Sequence, residues 1–166
     1  MPLAAQVALE MRALDASLDL LDHAVAASFG IGRTDLRAME LVSREGPAAC
    51  SQLAAQLRVT SGSVTALIDR MERAGYFLRL RDPDDRRKVL VQLTPAGRER
   101  ERRTFEPLAK NSIGMLRSYS DRDLTVIGDF LRRARALVEH ATTEVGATPR
   151  KSRRALHAHR DRRKAI

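Results

Sequence analysis

Between Ser61 and Arg73 the chain carries side chains suited to gripping a polyanion. Read as a helix advancing 100° per residue, the segment puts Val64, Leu67, Ile68 and Met71 on one face, an anchor to a core. The opposite face is centred on Gly62, Ala66, Asp69 and Arg73, with Thr65 on one flank and Ser63 and Arg70 on the other. Small and hydrogen-bonding residues at the N-terminal end of such a face let a helix backbone approach base edges in the major groove. The partial positive charge of a helix N-terminus near Ser61 to Ser63 also favours a phosphate. An ordinary solvated helix face has a similar composition, so the reading depends on what surrounds the segment.

Downstream, Asp82-Pro83-Asp84-Asp85-Arg86-Arg87 is rich in turn formers and charge. Arg86 and Arg87 are suited to phosphate or the minor groove, which a hairpin tip can reach beside a groove-bound helix. The three aspartates repel phosphate. A consistent account has one or two of them paired with these arginines or with Arg81, so that the guanidinium forks are held in direction.

Other reactive types are sparse. The histidines, His23, His140, His157 and His159, form no His-Glu-x-x-His, and there is no cysteine pair, phosphate loop or plausible set of nucleophile, base and acid. Catalysis, a bound metal and a cofactor are therefore not expected; His157-x-His159 reads as a solvated pair. Cys50 begins an expected helix, where the dipole can lower a thiol pKa, which makes it the residue to weigh for redox sensing.

These residues need elements to position them. Leu53, Ala54 and Leu57 mark a short helix, Arg58-Val59-Thr60 a tight turn, and Thr60 or Ser61 a cap for the following helix, which Gly75 ends. Two short helices so joined read as a helix-turn-helix. After Gly75 the pattern alternates, with Tyr76, Leu78 and Leu80 against Phe77, Arg79 and Arg81, and then Val89, Val91 and Leu93 against Leu90 and Gln92. That is a β-hairpin, and a hairpin directly after a helix-turn-helix is a wing.

Ahead of this head, Val7, Met11, Leu14, Leu18, Leu21 and Val25 recur at spacings of four and three, the seam of a long helix ending near Phe29-Gly30. It reads either as a core helix of the same chain or as a dimer seam; the small remainder of the chain cannot easily cover so long a stripe. Thr34 is expected to cap a second helix carrying Leu36, Met39 and Val42, stopped by Gly46-Pro47. Thr94-Pro95 opens a fifth helix running towards Tyr119, in which Pro107 predicts a kink or break. Ser120-Asp121-Arg122-Asp123 has capping-box spacing and opens a sixth helix bearing Leu124, Ile127, Leu131, Ala134 and Val138. The fold class is thus mainly α with a small β wing.

A chain of 166 residues with 4% aromatics and no Trp suits one domain of helices packed through Leu, Ala and Val. No apolar run approaches a membrane span, and Glu10 and Asp15 interrupt where a signal peptide would be apolar. A cytoplasmic protein without a membrane partner is expected, and one cysteine fits a reducing compartment. Of the net charge of +9, about +7 lies after Val145, where eight basic residues face only Asp161. Bulk charge therefore describes a tail, residues 146–166, and DNA recognition must rest on local arrangement.

The stretch SQLAAQLRVTSGSVTALIDRMERAGYFLRLRDPDDRRKVLVQLTPAGRE resembles the MarR family of winged-helix transcription regulators, most specifically in DPDDRR, the valine-rich strand and LTPAG. The resemblance extends more weakly over all but about the last 20 residues. It implies a homodimer in which helices of residues 1–30 and 95–145 interleave and two heads, residues 31–94, grip a pseudo-palindromic operator on double-stranded DNA. It implies, too, that a small phenolic or other organic effector, or thiol oxidation, releases DNA. Carried over by position, Ser61, Ser63, Thr65 and Arg70 match the recognition helix, and Asp85 and Arg87 match the wing's Asp-x-Arg pair. Redox-sensing members typically carry their cysteine on the first helix, where this chain has none. The resulting expectation is a sequence-specific regulator, a repressor, with residues 1–145 as one unit. Its alternatives are a nonspecific architectural protein using the basic tail and a redox sensor using Cys50.

Overall fold

The computed structural model of the chain describes residues 1–147 apart from 84, 86 and 87. In chain order the elements are α1 (Leu3–Phe29), α2 (Arg33–Glu45), β1 (Ala48–Ala49), α3 (Cys50–Leu57), α4 (Ser61–Arg73), β2 (Phe77–Arg81), β3 (Val89–Leu93), α5 (Pro95–Leu116) and α6 (Asp121–Ala147). The mainly α class with a small β wing is thus what the chain adopts.

Local chemistry accounts for most boundaries. Gly30 ends α1 in the left-handed region at φ 68°, and the N–H of Ile31 reaches back to Ala26 O at 3.0 Å, satisfying carbonyls at the helix end. Thr34 does not cap α2. The cap is Gly32 in extended conformation, and the Asp35 carboxylate, three residues on, accepts its N–H at 3.0 Å. A glycine there has no side chain to satisfy the first turn, so the bond runs backwards from Asp35 instead. Thr60 caps α4 as expected, accepting from the N–H of Ser63 at 3.2 Å. Arg58, at φ 55°, supplies the left-handed residue that separates α3 from α4.

The hairpin pairs β2 with β3 antiparallel, Phe77 opposite Leu93 and Arg79 opposite Val91. Its third strand went unanticipated: β1 is two residues long and pairs Ala48 with Val91, giving the order β1-β3-β2. Two alanines after a proline carry no alternation to read, so the strand exists only because β3 offers it a ladder.

The Thr94-Pro95 start of α5 forms a joint. The Thr94 hydroxyl accepts from the N–H of Gly97 at 2.9 Å and donates to Gly75 O at 2.7 Å, tying the start of α5 to the residue that ends α4. Gly97 is required by contact, since a Cβ there would sit 2.6 Å from Tyr76 O. Pro107 does not break α5, which runs as one helix to Leu116. At the start of α6, Ser120 and Asp123 exchange bonds as the capping spacing predicts, Asp123 N–H to Ser120 Oγ at 3.2 Å and Ser120 N–H to Asp123 Oδ2 at 3.3 Å.

By internal contacts the chain divides into two compact units, Met1–Asn111 and Ser112–Ile166, with α5 crossing the division. The core lies in the first unit. Leu36, Met39, Val42, Leu53, Val64, Leu67, Ile68, Met71, Phe77, Val91 and Leu93 are all essentially inaccessible, joined by Val25, Ala26 and Phe29 from the last turn of α1. In the second unit α6 has no buried residue among those described, and Leu131, Leu137 and Val138 on it are exposed.

Candidate nucleic-acid interface

The α4 helix is held by the apolar row that its periodicity specified: Val64, Leu67, Ile68 and Met71 are at most 1% exposed. Burying four such side chains contributes roughly 1.5–3 kcal/mol each, which anchors the helix to the core and turns this face inward. All eight residues expected to face DNA, Ser61, Gly62, Ser63, Thr65, Ala66, Asp69, Arg70 and Arg73, are exposed on the far side. Gly62 has open space where a Cβ would stand, so nothing within the chain requires a glycine there. The Thr65 hydroxyl donates to Ser61 O at 3.1 Å, and the Ser63 and Thr60 hydroxyls are 2.8 Å apart.

The charged members of this face have partners that the sequence did not disclose. Arg70 forks onto Asp35 of α2, Nη2 to Oδ1 at 2.7 Å and Nε to Oδ2 at 3.3 Å. Its pKa is raised, first by that hydrogen bond and then by the charge of Asp35. Asp69 receives Arg79 of β2, Nη2 to Oδ1 at 2.6 Å, and Arg79 also meets Glu72 through Nη1. The hydrogen bond to Asp69 raises the Arg79 pKa, aided by the charge of Glu72. Arg73 Nε donates to Asp69 O at 3.2 Å. This exposed face of α4 is thus braced on one flank to the α1–α2 corner and on the other to the strand β2. Asp35, Glu72 and Arg79 escaped sequence reasoning. Only Asp35 left a signal, a carboxylate beside the apolar Leu36 and Met39, three residues after a glycine.

At the wing, Asp82 and Lys88 close the strands, Asp82 N–H to Lys88 O at 3.0 Å. The Asp82 carboxylate accepts from the N–H of Asp85 at 3.3 Å, and Asp85 pairs with Lys88 at 3.7 Å. Arg79 on β2 is clamped by carboxylates of α4, a different pairing from the one expected between the wing aspartates and Arg81, Arg86 or Arg87, which falls partly outside the described residues. Asp84, Arg86 and Arg87 lie outside the described residues.

Along α1 the apolar stripe divides. Val7, Met11, Leu14 and Leu18 are exposed, whereas Leu21 packs against the core and Val25 is buried within it. Val25 therefore serves its own chain's core. Cys50, the first residue of α3, is half-buried and packs against that core as well.

A cleft of about 520 Å³ opens between the end of α1 and the start of α5, lined by Ser28, Phe29, Ala96, Glu99, Arg100, Arg103 and Thr104. No residue of α2 is in its lining. Arg100 lies 4.7 Å above the Phe29 ring and donates to Ser28 O at 2.8 Å. Glu99 is held down to about 2 by hydrogen bonds from Arg102 and Arg103. The cleft thus has Phe29 in its wall with Arg100 over the ring, and a charged rim on which Arg103 pairs with the ionised Glu99. Among the described residues no group of side chains could hold a metal, and no helix is long and apolar enough to cross a membrane. His157, His159 and the basic tail lie outside the described residues.

The family model for the MarR family matches residues 31–89. The uncharacterized HTH-type transcriptional regulator YcgE of Bacillus subtilis is 33% identical over 120 residues, covering 72% of this chain and 78% of its own. The chain belongs to the MarR family. As a member it is a DNA-binding transcriptional regulator, and α4 with the β2–β3 hairpin is its winged-helix head. Solved MarR-type structures share the fold. A MarR family protein from Bacillus stearothermophilus aligns at TM-score 0.63 and 23% identity, over 82% of this chain and 95% of its own. FabT of Streptococcus pneumoniae, solved with DNA, aligns at 0.61 and 22%, over 82% and 99%. NadR, solved with 4-hydroxyphenylacetate, aligns at 0.57 and 20%, over 77% and 91%.

Proposed function

We propose that this MarR-family chain is a homodimeric, sequence-specific repressor that sets two winged heads on a pseudo-palindromic operator. The observation that carries this reading is the exposed, small-residue face of α4, opposite a row of four buried side chains. Residues 31–94 form the head, residues 1–30 and 95–145 the dimerisation helices, and residues 146–166 an appended basic tail. The seam starts from the exposed part of the α1 stripe, Val7, Met11, Leu14 and Leu18. A single recognition helix covers one half-site; two heads held in register cover both.

The cleft beside Phe29 and Arg100 is the place for an effector, and the guanidinium of Arg100 over the Phe29 ring suits the carboxylate of a small aromatic acid. The NadR complex with 4-hydroxyphenylacetate gives that chemistry a precedent on the same fold. Selection of duplexes from a random pool by the full chain, followed by protection mapping, tests the whole reading. The expected result is one enriched palindrome with half-sites about one helical turn, 10–10.5 bp, apart, from which 4-hydroxyphenylacetate releases the protein. Failure to enrich any sequence would sink the specific reading.

The tail's charge favours one competing reading, an architectural protein bound through counterion release. Removing the residues after Val145 separates the two. A specific regulator keeps its sequence preference and loses only part of its salt dependence, whereas an architectural protein loses affinity and preference together.

A further inference from the structure

Among the described residues Asp35 is the one charged side chain buried in the head, 3% exposed. A carboxylate taken out of water is tolerated only when its oxygens are satisfied, and here three donors converge on it. Oδ2 accepts from the backbone N–H of Gly32 at 3.0 Å and from Arg70 Nε at 3.3 Å; Oδ1 accepts from Arg70 Nη2 at 2.7 Å. The Gly32 bond fixes the carboxylate to the corner Gly30-Ile31-Gly32 between α1 and α2. The Arg70 fork fixes the recognition helix to the carboxylate. A surface cleft of about 450 Å³, lined by that corner with Asp35, Arg70, Arg73 and Ala74, leaves the Arg70 side chain half exposed while Asp35 at its base is almost fully buried. The fork uses two of the five N–H groups of the guanidinium, so Nη1 stays outside it.

The geometry points to Asp35 as a positioning residue for DNA recognition: through the Arg70 fork it sets the rotation of α4 relative to the α1–α2 corner. This rests on the reading of the chain as a sequence-specific DNA-binding protein. The apolar row of α4 holds the helix on the core, but apolar burial is non-directional, so the fork adds a constraint on angle that packing alone does not supply. A planar fork on a carboxylate that is itself fixed resists turning, because both N–H···O bonds must stay aligned. Base readout depends on that angle, since a displacement of a fraction of an ångström or some 10–20° loses a productive hydrogen-bond set. Contacts to phosphate, made by long flexible side chains, tolerate the same displacement. Loss of the fork should therefore reduce discrimination and spare general DNA affinity.

The test uses the full chain with two duplexes, the one that wild type enriches from a random pool and a scrambled duplex of equal length. Asp35→Asn keeps an acceptor for Gly32 and removes the charge. It is expected to weaken binding to the enriched duplex by about tenfold or more, the scale of a lost base contact, with scrambled binding unchanged. Arg70→Lys keeps a cation for phosphate but not the fork, and should lose discrimination likewise; the double variant should fall no further than the weaker single. Wild-type discrimination in Asp35→Asn, equal losses on both duplexes, or additive losses in the double variant would each overturn the assignment. If circular dichroism finds Asp35→Asn unfolded, a folded Asp35→Glu, which keeps the charge but moves the carboxylate by one methylene, carries the measurement: lost discrimination with scrambled binding unchanged supports the positioning role, and wild-type discrimination ends it. Failure of wild type to enrich any duplex would instead remove the underlying reading.

Discussion

The winged head and the long helices solve the problem of apolar surface in opposite ways. In the head, α2, α3, α4 and the three-stranded sheet bury their apolar rows against one another, down to essentially complete exclusion of water at Leu53, Ile68 and Val91. On α1 the same kind of row is covered only at its C-terminal end, and Leu14 and Leu18 remain 57% and 47% exposed. Exposed leucines in isolation mean little. A regularly spaced series on a 27-residue helix is different, because it forms a continuous surface for another helix. In the proposed dimer the head is the part that folds within one chain, and the uncovered row of α1 is the part that a second chain covers.

The largest effect expected from breaking this contrast is in the head. Met71→Ala should cost roughly 2–5 kcal/mol of stability, measured by denaturant unfolding, and DNA binding should go with it. A loss below about 1 kcal/mol would mean that the core relaxes around α4 and does not define it. Leu18→Asp addresses the other side. Sedimentation should find monomers while circular dichroism finds the head folded; a fully dimeric variant would place the seam elsewhere.

The joint between the two regions is the next test. Gly97→Ala pushes a Cβ against the Tyr76 carbonyl, and a cost of roughly 1–3 kcal/mol is expected from such overpacking. An unchanged melting temperature would show that α5 can lift from the sheet freely. Arg87→Ala should weaken operator binding several-fold without loss of folding, and undiminished affinity would count against the wing as a contact.

The smallest effect concerns pH. Glu99 has its pKa lowered from 4.5 to about 2 in the folded chain, so the proton binds the unfolded chain more readily. Its pairs with Arg102 and Arg103 therefore stabilise above about 4.5, and that contribution is lost as pH falls towards 2. Because these groups are exposed, the effect is small. The melting difference between wild type and Glu99→Gln should shrink over that acid range, and a difference independent of pH would contradict the pairing.

Much of this architecture could be read from local pattern. Capping at Thr60 and Ser120, the proline at the start of α5 and the buried row of α4 depend on neighbours within four residues, and the hairpin after Gly75 on the alternation within each of its strands, where periodicity and cap chemistry act. Expectations failed where a nonlocal partner, or the absence of a side chain, decided the outcome. Gly32 displaced Thr34 as the cap of α2 because Asp35 could bond backwards to it. Strand β1 formed on two alanines because β3 lay alongside. Pro107 stands within an unbroken α5.

By itself, the sequence determined which residues of α4 face inward and which outward, since 100° per residue is a property of the backbone. It also determined that a turn and a wing follow. Only the tertiary structure decided what the outward charges do. Arg70 and Asp35 are 35 residues apart, and Arg79 lies ten residues from Asp69. An ion pair needs two groups within a few ångströms in a fixed direction, and separations of that size in the chain carry no information about distance until the core has folded.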